Sequence, residues 1–194
     1  MARRSVRKRT LDGCRGVHDR VGAVRHGIEE TNLRQHSTTN HTRIGKKMKE
    51  TTTVLSLTQA SDIVDAALSK ARELGLRPLT ITVLDPGGHP VVVKREDGSG
   101  ILRPQIAHAK AWGCLGTGAG GAAGARHATR DPAFFAALAA ISEGRIASSR
   151  GGVLIRDAAG SLLGSIGVSG DRPENDEACA VAGVESVDLV ADAG

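Results

Sequence analysis

Residues 79–97 alternate apolar and polar side chains on either side of a short turn, a pattern that fits a β-hairpin and little else. Leu79, Ile81 and Val83 alternate with two threonines, which is the period of a half-buried strand. The turn, residues 85–88, reads Asp-Pro-Gly-Gly, in which proline fixes φ and glycine accepts positive φ. Three β-branched valines then supply the return strand. An antiparallel sheet is therefore predicted.

Helical patterns surround this hairpin. Ser56 and Gln59 form a capping box before an apolar stripe of period 3.6, and Gly75 is placed to end that helix in the left-handed conformation. A second helix is predicted from about residue 104 to 116, starting at a proline. A short alanine-rich helix, residues 131–141, follows an Asp-Pro cap.

The remaining segments complete an alternating order of helices and hairpins. Residues 116–124 are mainly glycine and alanine, which indicates a flexible loop or a weak helix start. A second hairpin is predicted from residues 153–156 and 161–169, and a last helix from 174–191. The order α, hairpin, α, α, hairpin, α predicts a small antiparallel sheet covered by helices, in the α+β class.

The positive charge of the chain is concentrated at its start. Residues 1–50 hold 13 Lys and Arg against 5 Asp and Glu, whereas the remaining 144 residues hold 13 against 16. The first segment shows no helical or strand period, so we expect it to be a disordered basic extension and residues 51–194 to form the domain. Either it binds an anionic partner, or the native protein begins at Met48, which we favour. The folded part gives no reason to expect nucleic-acid binding.

The cysteines and the hydropathy pattern predict a cytoplasmic protein. Cys14, Cys114 and Cys179 are widely separated and form no Cys-x-x-Cys pair, so reduced thiols are the simplest interpretation. Arg3 and Arg4 are not followed by the apolar segment of a secretion signal. No stretch approaches the roughly 18 apolar residues that a membrane span requires.

The sequence does not match the common catalytic and nucleotide-binding motifs. The glycines of residues 116–121 follow a predicted helix, whereas the dinucleotide fingerprint needs a preceding strand. Phosphate-loop, nucleophile-elbow and His-Glu-x-x-His sequences do not occur. A conventional kinase or hydrolase is therefore disfavoured.

His108 is the most informative titratable residue. It shares a helical stripe with Trp112, an apolar wall suited to a porphyrin face, and an imidazole there is a candidate axial ligand for haem iron. The alternative is a packing histidine that bonds a neighbouring carbonyl. His89 and His127 lie among turn or charged residues and are expected to be solvated.

Two further groups are candidates for ligand binding. Arg95 and Arg103 are candidates to pair with a carboxylate or propionate. Gly164 and Gly167 weaken a strand unless a backbone, side chain or ligand approaches closely, and Ser169 ends the same strand. By contrast, the acidic pair at residues 176–177 is interpreted as charge that favours a helix N-terminus.

Several segments together resemble the GlcG/HbpS family, also called the haem-degrading domain family and related to the C-terminal domain of some corrinoid adenosyltransferases. The resemblance covers about residues 55–190. The segments that carry it are Leu-Asp-Pro-Gly-Gly-His-Pro-Val-Val-Val-Lys-Arg-Glu-Asp-Gly (84–98), Ile-Ala-His-Ala-Lys-Ala-Trp-Gly (106–113), Asp-Pro-Ala-Phe-Phe (131–135), Gly-Gly-Val-Leu-Ile (151–155), Gly-Ser-Ile-Gly-Val-Ser-Gly (164–170) and Asp-Glu-Ala (176–178).

This resemblance implies a profilin-like α/β/α sandwich with a central antiparallel sheet, frequently assembled into homo-oligomers. It also implies haem or, less directly, corrinoid binding, and leaves open whether any reaction is catalysed. The preferred hypothesis is a cytoplasmic haem- or tetrapyrrole-binding protein that handles or senses haem, with His108 as the metal ligand. The alternative is an operon-accessory protein that assists an enzyme or binds a small organic acid through Arg95 and Arg103.

Overall fold

The computed structural model describes residues 54–194, which form a five-stranded antiparallel sheet with helices on both faces. The basic extension and the proposed start at Met48 lie outside the described residues. The strand order is β2-β1-β4-β3-β5. The strands are β1 (Thr80–Leu84), β2 (Pro90–Arg95), β3 (Gly152–Arg156), β4 (Leu162–Ser169) and β5 (Val190–Asp192).

The helices cover the two faces of the sheet unequally. Helices α1 (Leu57–Glu73) and α5 (Pro173–Glu185) pack against each other on one face, while α2 (Arg103–Thr117) lies on the other and contacts β1, β3 and β4. Two short helices, α3 (Gly121–Arg130) and α4 (Pro132–Ile141), follow α2. The predicted α+β class and α/β/α sandwich are confirmed.

Local sequence signals account for several element boundaries. The Ser56 hydroxyl accepts from the Gln59 amide at 3.2 Å, and the Gln59 side chain reaches back to the Ser56 amide, as the capping box predicted. Gly75 follows α1 with φ of 63°. Asp131 accepts from the Phe134 amide at 3.0 Å and so caps α4.

The main hydrophobic core lies between the sheet and the α1–α5 pair. It contains Ile63 and Val64 of α1, Ile81 and Val83 of β1, and Ile166 of β4, all fully buried. Burial of each such side chain stabilises the fold by about 1.5–3 kcal/mol. The alternation predicted for residues 79–83 therefore places one side of β1 in this core and the two threonines on the side of α2.

Helix α2 approaches β4 at van der Waals distance because small residues line the strand. A Cβ atom on Gly167 would lie 1.9 Å from the carbonyl oxygen of Ala107, and the Ser165 hydroxyl donates to the Ala111 carbonyl at 3.0 Å. The helix thus rests on the strand backbone, which sets its height above the sheet.

The predicted end of the last helix was wrong, and the structure decides between the two interpretations of residues 116–124. The last helix ends at Glu185, because Asp188 takes a left-handed φ of 59° and the following residues form strand β5 on the edge of β3. Residues 116–124 are not a flexible loop: Gly118 ends α2 with φ of 69°, and α3 starts at Gly121. The second of the two interpretations, a helix start, is the observed one. Across residues 54–194, no helix is long and apolar enough to cross a membrane.

The packing of α2 on β4 predicts a large cost for Gly167→Ala. The added methyl group would overlap the Ala107 carbonyl, and backbone overpacking of this kind costs about 3 kcal/mol. Gly124→Ala is the control, because a Cβ atom there meets nothing within 4 Å and alanine favours helix by about 1 kcal/mol. Urea unfolding of both variants checks this, and equal stabilities would contradict the packing account.

Candidate functional site

A groove of about 420 Å³ runs between α2 and the β1–β2 side of the sheet. We call it the α2 groove. Pro104, Gln105, His108 and Ala109 of α2 form one wall, and Thr82 and Val93 of β1 and β2 form the floor. Val93 stays 50% exposed there, because α2 does not reach across β2. The groove also contains Gly144 and Arg145, which follow α4.

His108 is half-buried in this groove, and its environment disfavours the charged imidazolium. Burial lowers the pKa of His108 below its ordinary value, and the nearby Arg145 guanidinium lowers it further. The imidazole is therefore in its neutral form near pH 7. Neutral imidazole has a free nitrogen lone pair, which is what a metal ligand needs.

Trp112 lies one helical turn after His108 and holds Arg145 in place. The guanidinium carbon of Arg145 stands 4.8 Å from the Trp112 ring centroid, a cation–π contact. The indole also packs against the turn of the first hairpin, since a Cβ atom on Gly88 would lie 3.0 Å from the indole nitrogen. The structure thus places His108 and Trp112 on one side of α2, as predicted, with a cation beside them.

The groove floor contains a polar atom without a partner. Thr82 is buried, and its hydroxyl makes no hydrogen bond in the described part of the chain. An unpaired buried hydroxyl costs about 1–3 kcal/mol. The oxygen has almost no accessible surface, so it lies beneath the groove floor and does not face a ligand in the groove. Sequence patterns did not single out this threonine.

The predicted arginine sites are engaged within the protein. Arg103 donates to the Ser169 hydroxyl at 3.2 Å, so these two predicted residues do meet, next to the start of α2. Arg95 donates to the Ser99 carbonyl, and the Ser99 hydroxyl bonds Thr80 at 2.9 Å. These contacts tie the 96–102 loop to the sheet. Arg95, Arg103 and Ser169 do not line the α2 groove.

Gly164 and Gly167, the two glycines of β4, lie against the backbone of neighbouring elements. The carbonyl oxygen of Leu84 would lie 2.2 Å from a Cβ atom on Gly164, as that of Ala107 would lie 1.9 Å from one on Gly167. Of the three partners that the sequence allowed, it is the chain's own backbone that approaches these glycines. This packing leaves no room for a ligand on the contacted side, so neither glycine belongs to the candidate site.

The structure contains a buried ion pair that the sequence analysis did not predict. Lys110 and Asp176 are 4% and 1% exposed, and Lys110 Nζ lies 2.8 Å from Asp176 Oδ2. Asp176 therefore does more than favour the α5 N-terminus: it is the partner of a buried cation. A lysine on the sheet-facing side of α2, next to Ala107 and Ala111, was the available signal, since a lysine is fully buried almost only when paired.

The remaining potential ligands are isolated. His89 is exposed, as expected, and lies 3.3 Å from Asp85. His127 is exposed too, and its ring also contacts Phe134 and Phe135. Cys114 and Cys179 are buried and unpaired within residues 54–194, and burial raises their pKa values to about 12 and about 11. No three His, Cys, Asp or Glu side chains in this range are grouped to hold a metal ion.

The chain belongs to the family of HbpS-like haem-degrading proteins, whose sequence pattern matches residues 55–185. This match covers the whole sandwich up to the end of α5. It confirms the family that the hairpin, α2 and β4 segments indicated. No curated protein matches the chain significantly.

Solved structures with the same fold include one in complex with haem. PduOC in complex with haem is 21% identical, with a TM-score of 0.65, and the match covers 72% of this chain and 99% of that one. A double mutant of HbpS from Streptomyces reticuli is 26% identical, with a TM-score of 0.61 and coverage of 79% and 99%. Protein ORFY of Klebsiella pneumoniae is 23% identical, with a TM-score of 0.59 and coverage of 68% and 88%.

The environment of His108 predicts how it titrates. Its pKa in the folded protein should lie below about 6.5, the ordinary histidine value. Arg145→Gln should raise the pKa of His108 toward 6.5 without reaching it, because the imidazole stays half-buried. NMR titration of the imidazole protons measures both values.

Stability should change with pH in the same range. The unfolded chain takes up a proton at His108 near pH 6.5, before the folded protein does, so stability falls as the pH drops from about 6.5 to the lower folded pKa. His108→Gln should remove this part of the dependence in urea unfolding. A folded pKa at or above 6.5 would contradict the assignment.

Proposed function

We propose that this protein binds haem or a related tetrapyrrole in the α2 groove, with His108 as the axial ligand of the metal. The observation that carries the proposal is a neutral, half-buried imidazole that lines an open groove. A haem iron needs only an axial protein ligand, because the porphyrin supplies four nitrogens. A lone histidine is therefore enough for haem, although it would not hold a metal ion by itself.

The other residues of the groove fit the chemistry of the ligand. Val93 and Ala109 offer apolar surface to a porphyrin ring, and the Arg145 guanidinium in the same groove would be a charge partner for a propionate. Bound haem would supply redox and oxygen chemistry. The chain itself would bind the ring, hold the imidazole neutral and keep one side of the ligand from solvent.

Family membership and the haem complex of PduOC support the tetrapyrrole assignment over the alternative of a small organic acid. That alternative relied on Arg95 and Arg103, which each donate one hydrogen bond within the chain and lie outside the α2 groove. We further propose that the protein acts in the cytoplasm, in haem handling or sensing.

Haemin titration tests the site. Wild-type protein should give a shifted Soret band that saturates at one haem per chain. His108→Ala should weaken binding at least about tenfold or shift the band, because the axial ligand is lost. Thermal unfolding of the variant should stay near that of the wild type, since a half-buried imidazole contributes little packing.

Matched control variants distinguish haemin binding at His108 from binding at the other histidines of the domain. His89→Ala and His127→Ala each remove one exposed imidazole from the same domain and should leave affinity and spectrum unchanged. All variants keep the histidines of the first 50 residues, so nonspecific binding there is constant. If His108→Ala binds haemin as the wild type does, the ligand assignment is wrong.

We also propose that the protein forms homo-oligomers. Helix α4 buries none of its residues, and Ile141, which does not line the neighbouring cavity, is 78% exposed. A large apolar side chain left in solvent is unfavourable, and a symmetric contact at the end of α4 would bury it. Light scattering at micromolar concentration should therefore give a multiple of the chain mass, which Ile141→Asp lowers. A monomeric wild type would contradict the proposal.

A further inference from the structure

A second cavity lies between α3 and α4, separate from the α2 groove. Its volume is about 400 Å³, in the range of sites for small organic molecules. Its lining includes the rings of His127, Phe134 and Phe135 together with Arg130. We call it the α3–α4 pocket.

The aromatic rings define the kind of surface a ligand would meet. His127 stacks on Phe134, with ring centroids 5.7 Å apart and planes 25° apart, and meets Phe135 edge-on at 5.4 Å. The two phenylalanine rings are themselves perpendicular, 5.8 Å apart. Such a cluster offers both faces and edges to a further flat ring.

Gly124 supplies an independent observation. Glycine inside a helix destabilises it relative to alanine, so its presence calls for a reason. The other glycines at the start of α3 have one: a Cβ atom would lie 2.1 Å from the backbone of Ala193 at Gly120, and 2.5 Å from that of Ser149 at Gly121. A Cβ atom on Gly124 would meet nothing within 4 Å, and Gly124 lines the pocket. The glycine keeps a space open that no part of the described chain fills.

The charge beside the pocket favours an anion. Arg130 makes no ion pair or hydrogen bond with any side chain of residues 54–194, and the first turn of α3 has no acidic residue. Arg126, one helical turn before Arg130, also makes no ion pair within residues 54–194, but it does not line the pocket. A free guanidinium binds a carboxylate through two parallel hydrogen bonds.

We propose that the α3–α4 pocket binds a small aromatic carboxylate, with its ring among His127, Phe134 and Phe135 and its carboxylate on Arg130. This site goes beyond haem binding and does not depend on it. The ligand occupies the space that Gly124 leaves open, and the unpaired arginine distinguishes an acid from its uncharged analogues.

Titration with 2-naphthoate, followed by its fluorescence and by calorimetry on the full chain, tests the proposal. We expect saturable binding by the wild type, at least about tenfold weaker binding of 2-naphthamide, and a similar loss for Arg130→Gln. Arg126→Gln is the matched control and should bind within about twofold of the wild type. Gly124→Leu should abolish binding by filling the pocket, and the His127 ring signals in NMR should move when naphthoate binds.

The outcomes separate this pocket from the haem site. His108→Ala should retain naphthoate binding, and Gly124→Leu should retain haemin binding, so either proposal can fail alone. Absence of saturation up to about 5 mM 2-naphthoate, or unchanged affinity in both Arg130→Gln and Gly124→Leu, would overturn the aromatic-acid site. Haemin that displaces naphthoate and depends on His127 rather than His108 would show that a tetrapyrrole occupies the pocket, and would overturn both assignments.

Discussion

The buried ion pair between Lys110 and Asp176 joins the two helical layers of the sandwich. Lys110 Nζ also donates to the Val168 carbonyl at 2.9 Å, and the other carboxylate oxygen of Asp176 accepts from the Asp171 amide at 3.0 Å. Burial raises the pKa of Asp176, and the ammonium of Lys110 opposes that rise. Removing one partner of such a pair typically costs about 3–5 kcal/mol, because the other charge stays buried alone. The position of α2 is therefore fixed from both sides of β4.

A fixed α2 is what makes the groove possible. The sheet-facing side of the helix is occupied by Ala107, Lys110 and Ala111, and Gly167 lets that side rest on strand backbone. His108 then falls on the flank of the helix, where it is only half-buried. Positioning an imidazole to within a fraction of an ångström requires a rigid support. The ion pair and the glycine contact supply that support without touching a ligand themselves.

The sequence was most informative where a local rule decides the structure. Capping residues, the Asp-Pro-Gly-Gly turn and β-strand alternation gave α1, both hairpins and the sheet, because each depends on neighbours within a few residues. Strand β5 was missed because its pairing with β3 is a distant contact, and the three-residue strand has no alternation of its own. The candidate site likewise combines residues that local spacing relates with residues that only the tertiary fold brings together. His108 and Trp112 could be related by helical spacing, whereas Thr82, Arg145 and the Lys110–Asp176 pair come together only through the tertiary fold.

The unequal covering of the sheet explains why both candidate sites lie on the α2 side. Helices α1 and α5 together seal one face, and the large buried side chains of the core gather there. On the other face α2 alone spans β1, β4 and β3, so β2 remains partly open at Val93. Helices α3 and α4 continue that layer without burying a single residue of α4. The large apolar side chains thus stabilise the α1–α5 face, whereas the α2 face is held by the Lys110–Asp176 pair and the Gly167 contact and leaves β2 partly open.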